Sequence, residues 1–160
     1  MHFAMEMFKS VAGVDILHVP YKGNGPLTTA LIAGEVDMSM DAMGVSLPQL
    51  RAGKLRGLAV SGPRRWPLLP DMPTIAEAGL PGFETTGWQG IFAPAATPME
   101  VVAQLNRELA KVLGMRDVRD RILGLGYEPG ITTPEEFRDI VRKDQAKFLK
   151  VIKDTGIRGE

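Results

Sequence analysis

An α/β fold built on a parallel sheet is what the sequence predicts, and three observations carry that reading. Short apolar runs alternate with short helical patterns over the first two thirds of the chain, Pro and Gly stand where helices would start and stop, and the last third turns into two amphipathic stripes. Strands separated by helices at this pitch pair in parallel through right-handed crossovers. Open sheets of this kind bind ligands beyond the carboxyl ends of their strands, so those ends are where functional residues are sought.

Residues 14–19 are the first strand candidate, running into Pro20-Tyr21-Lys22-Gly23-Asn24-Gly25. The spacing then predicts a helix over 26–33, with Pro26 at its first position and Gly34 as its stop. Val36, Met38 and Met40 alternate with Asp37 and Ser39 as a half-buried strand would, and that strand ends at Asp41-Ala42-Met43-Gly44. A helix from about Ser46 to Ala52 would stop at Gly53. Residues 55–61 are a third strand candidate, leading into Ser61-Gly62-Pro63-Arg64-Arg65, and residues 87–93 a fourth. Between these two, Pro63, Pro67, Pro70, Pro73 and Pro81 forbid a long helix and predict an ordered, extended surface connection.

The last third is helical in pattern. Thr97-Pro98-Met99-Glu100 reads as a capping box with Pro at the first helical position, and Val102, Leu105, Leu109, Val112 and Leu113 follow at helical spacing. Thr133-Pro134-Glu135-Glu136 repeats the start signal. Phe137, Ile140, Val141, Phe148, Val151 and Ile152 then mark a long terminal helix, interrupted at Asp144. A short helix at about 117–125 and a brief strand at Tyr127-Glu128 are expected between the two. No internal repeat or low-complexity segment is present.

The 160 residues suffice for one ordinary domain or pieces of two. Apolar residues make up 44% and charged residues 24%, the balance of a soluble globular protein. Nineteen basic residues offset nineteen acidic ones, so no global field draws nucleic acid or an anionic membrane. The absence of cysteine excludes disulfides and thiolate chemistry. No apolar stretch reaches the length of a membrane span, and the first nine residues lack the basic region, apolar run and cleavage site of a signal peptide.

The inventory for catalysis is poor. Ser10, Ser39, Ser46 and Ser61 are the serines, and none sits in a G-x-S-x-G elbow. The histidines are His2 and His18, the latter inside a strand candidate and expected to be packed or edge-facing. With two histidines, no cysteine and scattered carboxylates, neither a metal site nor a cofactor is expected. Gly23-Asn24-Gly25-Pro26 leads from a strand into a helix, a context that suits a small anion. It lacks dinucleotide or Walker spacing and is equally consistent with a plain turn. Asp41 stands at a strand end, where it could accept hydrogen bonds from a ligand or cap the following helix. Trp88 could wall a cleft or fill a core. Arg64-Arg65-Trp66 could form a cation patch, with an exposed loop the simpler expectation.

Several ordered motifs resemble one family. They are Val19-Pro20-Tyr21-Lys22-Gly23, Gly34-Glu35-Val36-Asp37-Met38, Arg51-Ala52-Gly53-Lys54-Leu55-Arg56, Asp71-Met72-Pro73-Thr74, Ile75-Ala76-Glu77-Ala78-Gly79-Leu80-Pro81-Gly82 and Gly90-Ile91-Phe92-Ala93-Pro94-Ala95. In this order and at these intervals the chain resembles the TctC or Bug receptors of tripartite tricarboxylate transporters, over essentially its whole length. The resemblance implies a type II periplasmic-binding-protein-like α/β fold. One nearly complete parallel-sheet lobe over 1–86 would be joined, over 87–160, by a crossover strand and the C-terminal helices of the other lobe. It also implies that a Gly-Ser-Gly-Thr turn precedes the helix beginning near Met1, so that the chain lacks that carboxylate-binding turn and the secretion signal.

What the resemblance implies about function is capture of a small organic acid in the periplasm, without chemistry and without a cofactor, and its transfer to membrane transporter subunits. The family's Tyr-Lys/Arg-Gly loop matches Tyr21, Lys22 and Gly23, beside Asn24. Its cleft Asp matches Asp41, followed by Ala42, where Asn is frequent, and Met43. Trp88 completes the expected ligand-binding set. Two alternatives stand beside this reading. One is a small hydrolase using Ser39 or Ser61 with His18 and Asp41. The other is a chain without a small-molecule role that persists as a homodimer. A homodimer is expected in either case, through the apolar stripes at 98–113 and 134–154, because those stripes are built to cover a sheet.

Overall fold

The computed structural model describes residues 2–156. Six helices follow one another: α1 (His2–Ala12), α2 (Asn24–Ala33), α3 (Met43–Arg51), α4 (Met99–Gly114), α5 (Arg116–Gly124) and α6 (Pro134–Thr155). The chain divides into two compact units, Met1–Trp88 with α1 to α3 and Gln89–Glu160 with α4 to α6.

In the first unit, α2 begins two residues before the expected Pro26. Gly23 stands just ahead of it at φ 91°, a backbone that only glycine adopts without strain. Its end is as read: Gly34 turns left-handed and its N–H reaches back to the carbonyls of Ala30 and Leu31. Helix α3 begins at Met43, three residues before the expected Ser46, and its interior accommodates Pro48. Helices α2 and α3 pack on each other. Leu47 of α3 is the most deeply buried large side chain, in a core with Val60 and Trp66 that Met43, Leu69 and Met72 partly cover.

Arg64 and Arg65 are exposed as expected, but Trp66 is buried, which corrects that part of the expected loop and with it the extended surface path. The Pro-rich segment instead folds back in successive turns, with Leu69 N–H donating to the Trp66 carbonyl and Met72 N–H to that of Leu69. An indole removed from water is worth far more than an indole left on a loop, so the turns close over Leu47 and Val60.

The four segments expected as strands carry no ladder among the described residues, and neither does Tyr127-Glu128. A strand exists only through its neighbours, because each backbone donor and acceptor along it needs a partner across the gap. One place shows where such neighbours meet. Val60 donates to the Pro73 carbonyl and accepts from Ile75 N–H, which makes a parallel bridge to Thr74. On its opposite edge the next residue, Ser61, accepts from Thr85 N–H at 2.8 Å. Backbone groups of successive extended residues point in opposite directions, so residues 60–61 have neighbours on both sides.

In the second unit, α4 packs against α5 and α6. The start of α6 forms as read: Thr133 Oγ1 accepts from Glu136 N–H at 3.1 Å and Glu136 Oε2 accepts from Thr133 N–H at 2.8 Å. The start of α4 does not. Pro98 has ψ 139° and lies outside the helix, so Glu100 falls at the second helical position where a capping box requires the third. The expected box at Thr97 is therefore absent. Gly90 passes so close to the ring of Phe137 that a Cβ there would collide with it, and Phe92 lies 5.6 Å from the same ring, centroid to centroid.

Candidate functional site

Tyr21 to Asn24 stand at the start of α2, and Asp41 to Met43 at the start of α3. Tyr21 is half-buried and its carbonyl accepts from Gly23 N–H at 2.9 Å, which tightens the turn that delivers the chain into α2. Lys22 and Gly23 are exposed. Asn24 opens the helix, and no side chain caps it. The first turn of α2 therefore presents backbone donors where Asn24 and Gly25 stand, while Pro26 has none to offer.

Asp41 lies half-buried between the two helices. Its Oδ1 accepts from Ala42 N–H at 2.8 Å. Its Oδ2 accepts from the Thr28 hydroxyl at 3.1 Å and from the Ser46 hydroxyl at 3.2 Å. Thr28, buried on α2, also points the same hydroxyl at the Asn24 carbonyl, 2.8 Å away, as a three-centre bond. Asp41 is thus not the N-cap of α3. That place belongs to Ala42, whose carbonyl accepts from Val45 and Ser46 N–H. Of the two roles left open for it, cap or ligand acceptor, the first is replaced by a bridge between helices. Sequence reading passed over both hydroxyl partners. Thr28 is thirteen residues before Asp41 and on another helix, so no local spacing announces it.

Met43 packs against the Leu47, Val60 and Trp66 core. Trp88 stands at the end of the first unit, 39% exposed, and engages neighbouring groups there. Two of the groups named for a hydrolase, His18 and Asp41, have other partners. His18 is exposed with its ring stacked on His2 at 3.9 Å, and Asp41 bonds Thr28, Ala42 and Ser46. Among the described residues no group of three or more His, Asp or Glu side chains could hold a metal ion. No helix among them is long and apolar enough to cross a membrane. A shallow depression lined by Leu68, Leu69, Met72 and Pro73 contains none of the expected site residues.

A second ionic cluster was not foreseen. Thr74 and Glu77 exchange the two bonds of a capping box, at 2.8 and 3.0 Å, and Arg65 Nε donates to the same carboxylate at 2.9 Å. The Thr74 backbone N–H foremost, and Arg65 after it, holds the Glu77 carboxyl below the usual glutamate range. The signal was present as Thr74-Ile75-Ala76-Glu77, the same Thr-x-x-Glu spacing as at α6.

The family model for the tripartite tricarboxylate transporter family receptor matches residues 1–157. A UPF0065 protein in the tcbD-tcbE intergenic region of a Pseudomonas species is 39% identical over 153 residues, 95% of this chain and 46% of that protein. Protein BugT of Bordetella pertussis is 31% identical over 157 residues, 98% of this chain and 48% of that protein. Among solved structures, Rpa4515 of R. palustris with adipate superposes with a TM-score of 0.87 at 42% identity, over 98% of this chain and 52% of that one. MatC (Rpa3494) of Rhodopseudomonas palustris with bound malate gives a TM-score of 0.78 at 34% identity, over 94% of this chain and 52% of that one. The periplasmic binding protein BugD gives 0.81 at 31% identity. The chain thus spans about half the length of each of these relatives. Its path is that of the TctC-type α/β binding-protein fold, whatever ladders the strand segments lack. By sequence over nearly every residue and by fold, the chain belongs to the tripartite tricarboxylate transporter receptor family.

Proposed function

We propose that this chain is the part of an extracytoplasmic solute-binding receptor that helps hold a small carboxylate, and that it works by capture and release, without chemistry. The observation that carries the reading is the pairing of two helix starts, α2 after Tyr21-Lys22-Gly23 and α3 after Asp41-Ala42, at one place in a chain of this receptor family. Helix starts and a nearby lysine favour an anion over a neutral or cationic ligand. Tyr21, Lys22, Gly23, Asn24, Asp41, Ala42, Met43 and Trp88 make up the proposed ligand-binding region. The adipate and malate held by two of the solved relatives make dicarboxylates the first ligands to try. In the complete receptor the proposed setting is the periplasm and the proposed recipients are membrane transporter subunits.

Calorimetric titration of the chain with adipate and malate tests this. Saturable binding that Lys22→Ala weakens is expected, and no heat at millimolar concentration of either acid would sink the reading. Turnover of a generic ester, lost on Ser39→Ala or Ser61→Ala, would favour the hydrolase instead. The proposal includes a homodimer. Met99, Val101, Leu105 and Val112 on α4 are all exposed in the single chain, and a second copy would cover them.

A further inference from the structure

We propose that Asp41 is a positioning residue: its carboxylate clamps α2, through Thr28 in its second turn, to the first turn of α3, and it acts on a ligand through those helices. The inference rests on the carboxylate-binding reading and changes what Asp41 does within it.

The geometry commits most of the carboxylate. A carboxylate oxygen accepts two hydrogen bonds well, and Oδ2 already takes two, from Thr28 on α2 at 3.1 Å and from Ser46 on α3 at 3.2 Å. Oδ1 takes one, from Ala42 N–H at 2.8 Å, the residue that opens α3. One acceptor direction is left, and no donor. An incoming carboxylate offers acceptors only, so it could gain nothing from Asp41 directly and would be repelled by its charge. What Asp41 does supply is register. Thr28 is 6% exposed, and its hydroxyl is shared between the Asn24 carbonyl and Asp41 Oδ2. The carboxylate, through that hydroxyl, is therefore coupled to the carbonyl of the first residue of α2. Its negative charge is also tolerable here, because the start of α3 carries the positive end of the helix dipole. The clamp gives a charged residue between two packed helices a role other than capping.

The clamp and a direct ligand contact give opposite answers to substitutions that leave Asp41 in place. Thr28→Val keeps the side-chain shape and Ser46→Ala keeps the helix, and together they remove both hydroxyl donors. The 160-residue chain and its variants are compared by amide hydrogen exchange at Leu27 and Thr29 in α2 and at Val45 and Leu47 in α3, and by titration with adipate and malate. Expected is faster exchange at these amides in Thr28→Val/Ser46→Ala and in Asp41→Ala alike, by about tenfold, the scale of one or two lost hydrogen bonds. Amides of α6 keep their wild-type rates. Asp41→Asn should restore much of the protection, because both hydroxyls can reverse and accept from its amide. Dicarboxylate affinity should fall in step with protection.

Unchanged exchange and unchanged affinity in Thr28→Val/Ser46→Ala, with binding lost in Asp41→Ala, would overturn the clamp and make Asp41 a contact residue. If the wild-type chain binds neither acid, the carboxylate reading fails on its own. The exchange rates still decide whether Asp41 clamps: protection lost in both variants upholds it, and protection kept in either refutes it.

Discussion

Glu77 shows how one carboxylate organises a stretch of chain too rich in proline for regular structure. It receives the Thr74 N–H, at the position bridged to Val60, and Arg65, next to the buried Trp66. Its folded pKa lies below the ordinary value, so its contribution is fully present above the usual glutamate range and is lost as pH falls through the folded pKa. We therefore expect Glu77→Ala to lower the thermal midpoint at pH 7. The gap from wild type should narrow as pH falls from about 4 through the lowered folded pKa, below which both states bind the proton. A gap independent of pH would mean that the side chain acts by packing alone. At Gly90 the determinant is space. A methyl group there meets the Phe137 ring, so Gly90→Ala should cost about 1–3 kcal/mol by urea denaturation, the usual price of overpacking. Phe137→Leu in the same background should recover part of it.

Elements of the second unit were legible because helix starts are local. Thr133-Pro134-Glu135-Glu136 names its own geometry, and the box forms with both bonds present. The matching string at Thr97 fails for an equally local reason, since Pro98 takes ψ 139° and shifts the register by one. The pair makes a controlled comparison. Thr133→Ala should destabilise by about 1 kcal/mol, whereas Thr97→Ala should stay within about 0.5 kcal/mol of wild type. Equal effects in denaturant titrations would contradict the assignment of the caps. Strands were less legible, because alternation of apolar residues says which face could be buried but not which segment lies alongside. Val60 and Ser61 find neighbours at 73–75 and 85, and among the described residues no ladder forms at the other candidates.

At the scale of the whole molecule, apolar surface left open is the dominant fact. Leu105 on α4 is 50% exposed and Met99 58%, and no residue of α4 or α5 is buried. Each large apolar side chain taken out of water contributes roughly 1.5–3 kcal/mol, so these faces favour a partner. Sedimentation at micromolar concentration should show a dimer that Leu105→Glu shifts toward monomer. A wild-type monomer at all concentrations would remove the homodimer from the proposal. The first unit has a real if small core, and Trp66→Ala should cost about 3–5 kcal/mol there, read from a denaturant midpoint.

The sequence by itself determined the family, the stop of α2 at Gly34 and the cap of α6. Those are properties of short strings, in which each residue's backbone preference or hydrogen-bonding reach spans four or five positions. Only the tertiary structure decided that Trp66 is core, that Met43 packs on Leu47, and that Asp41 joins Thr28 to Ser46. These depend on which distant segments meet. A carboxylate two residues before a helix looks like a cap until another helix brings a buried hydroxyl within 3.1 Å of it.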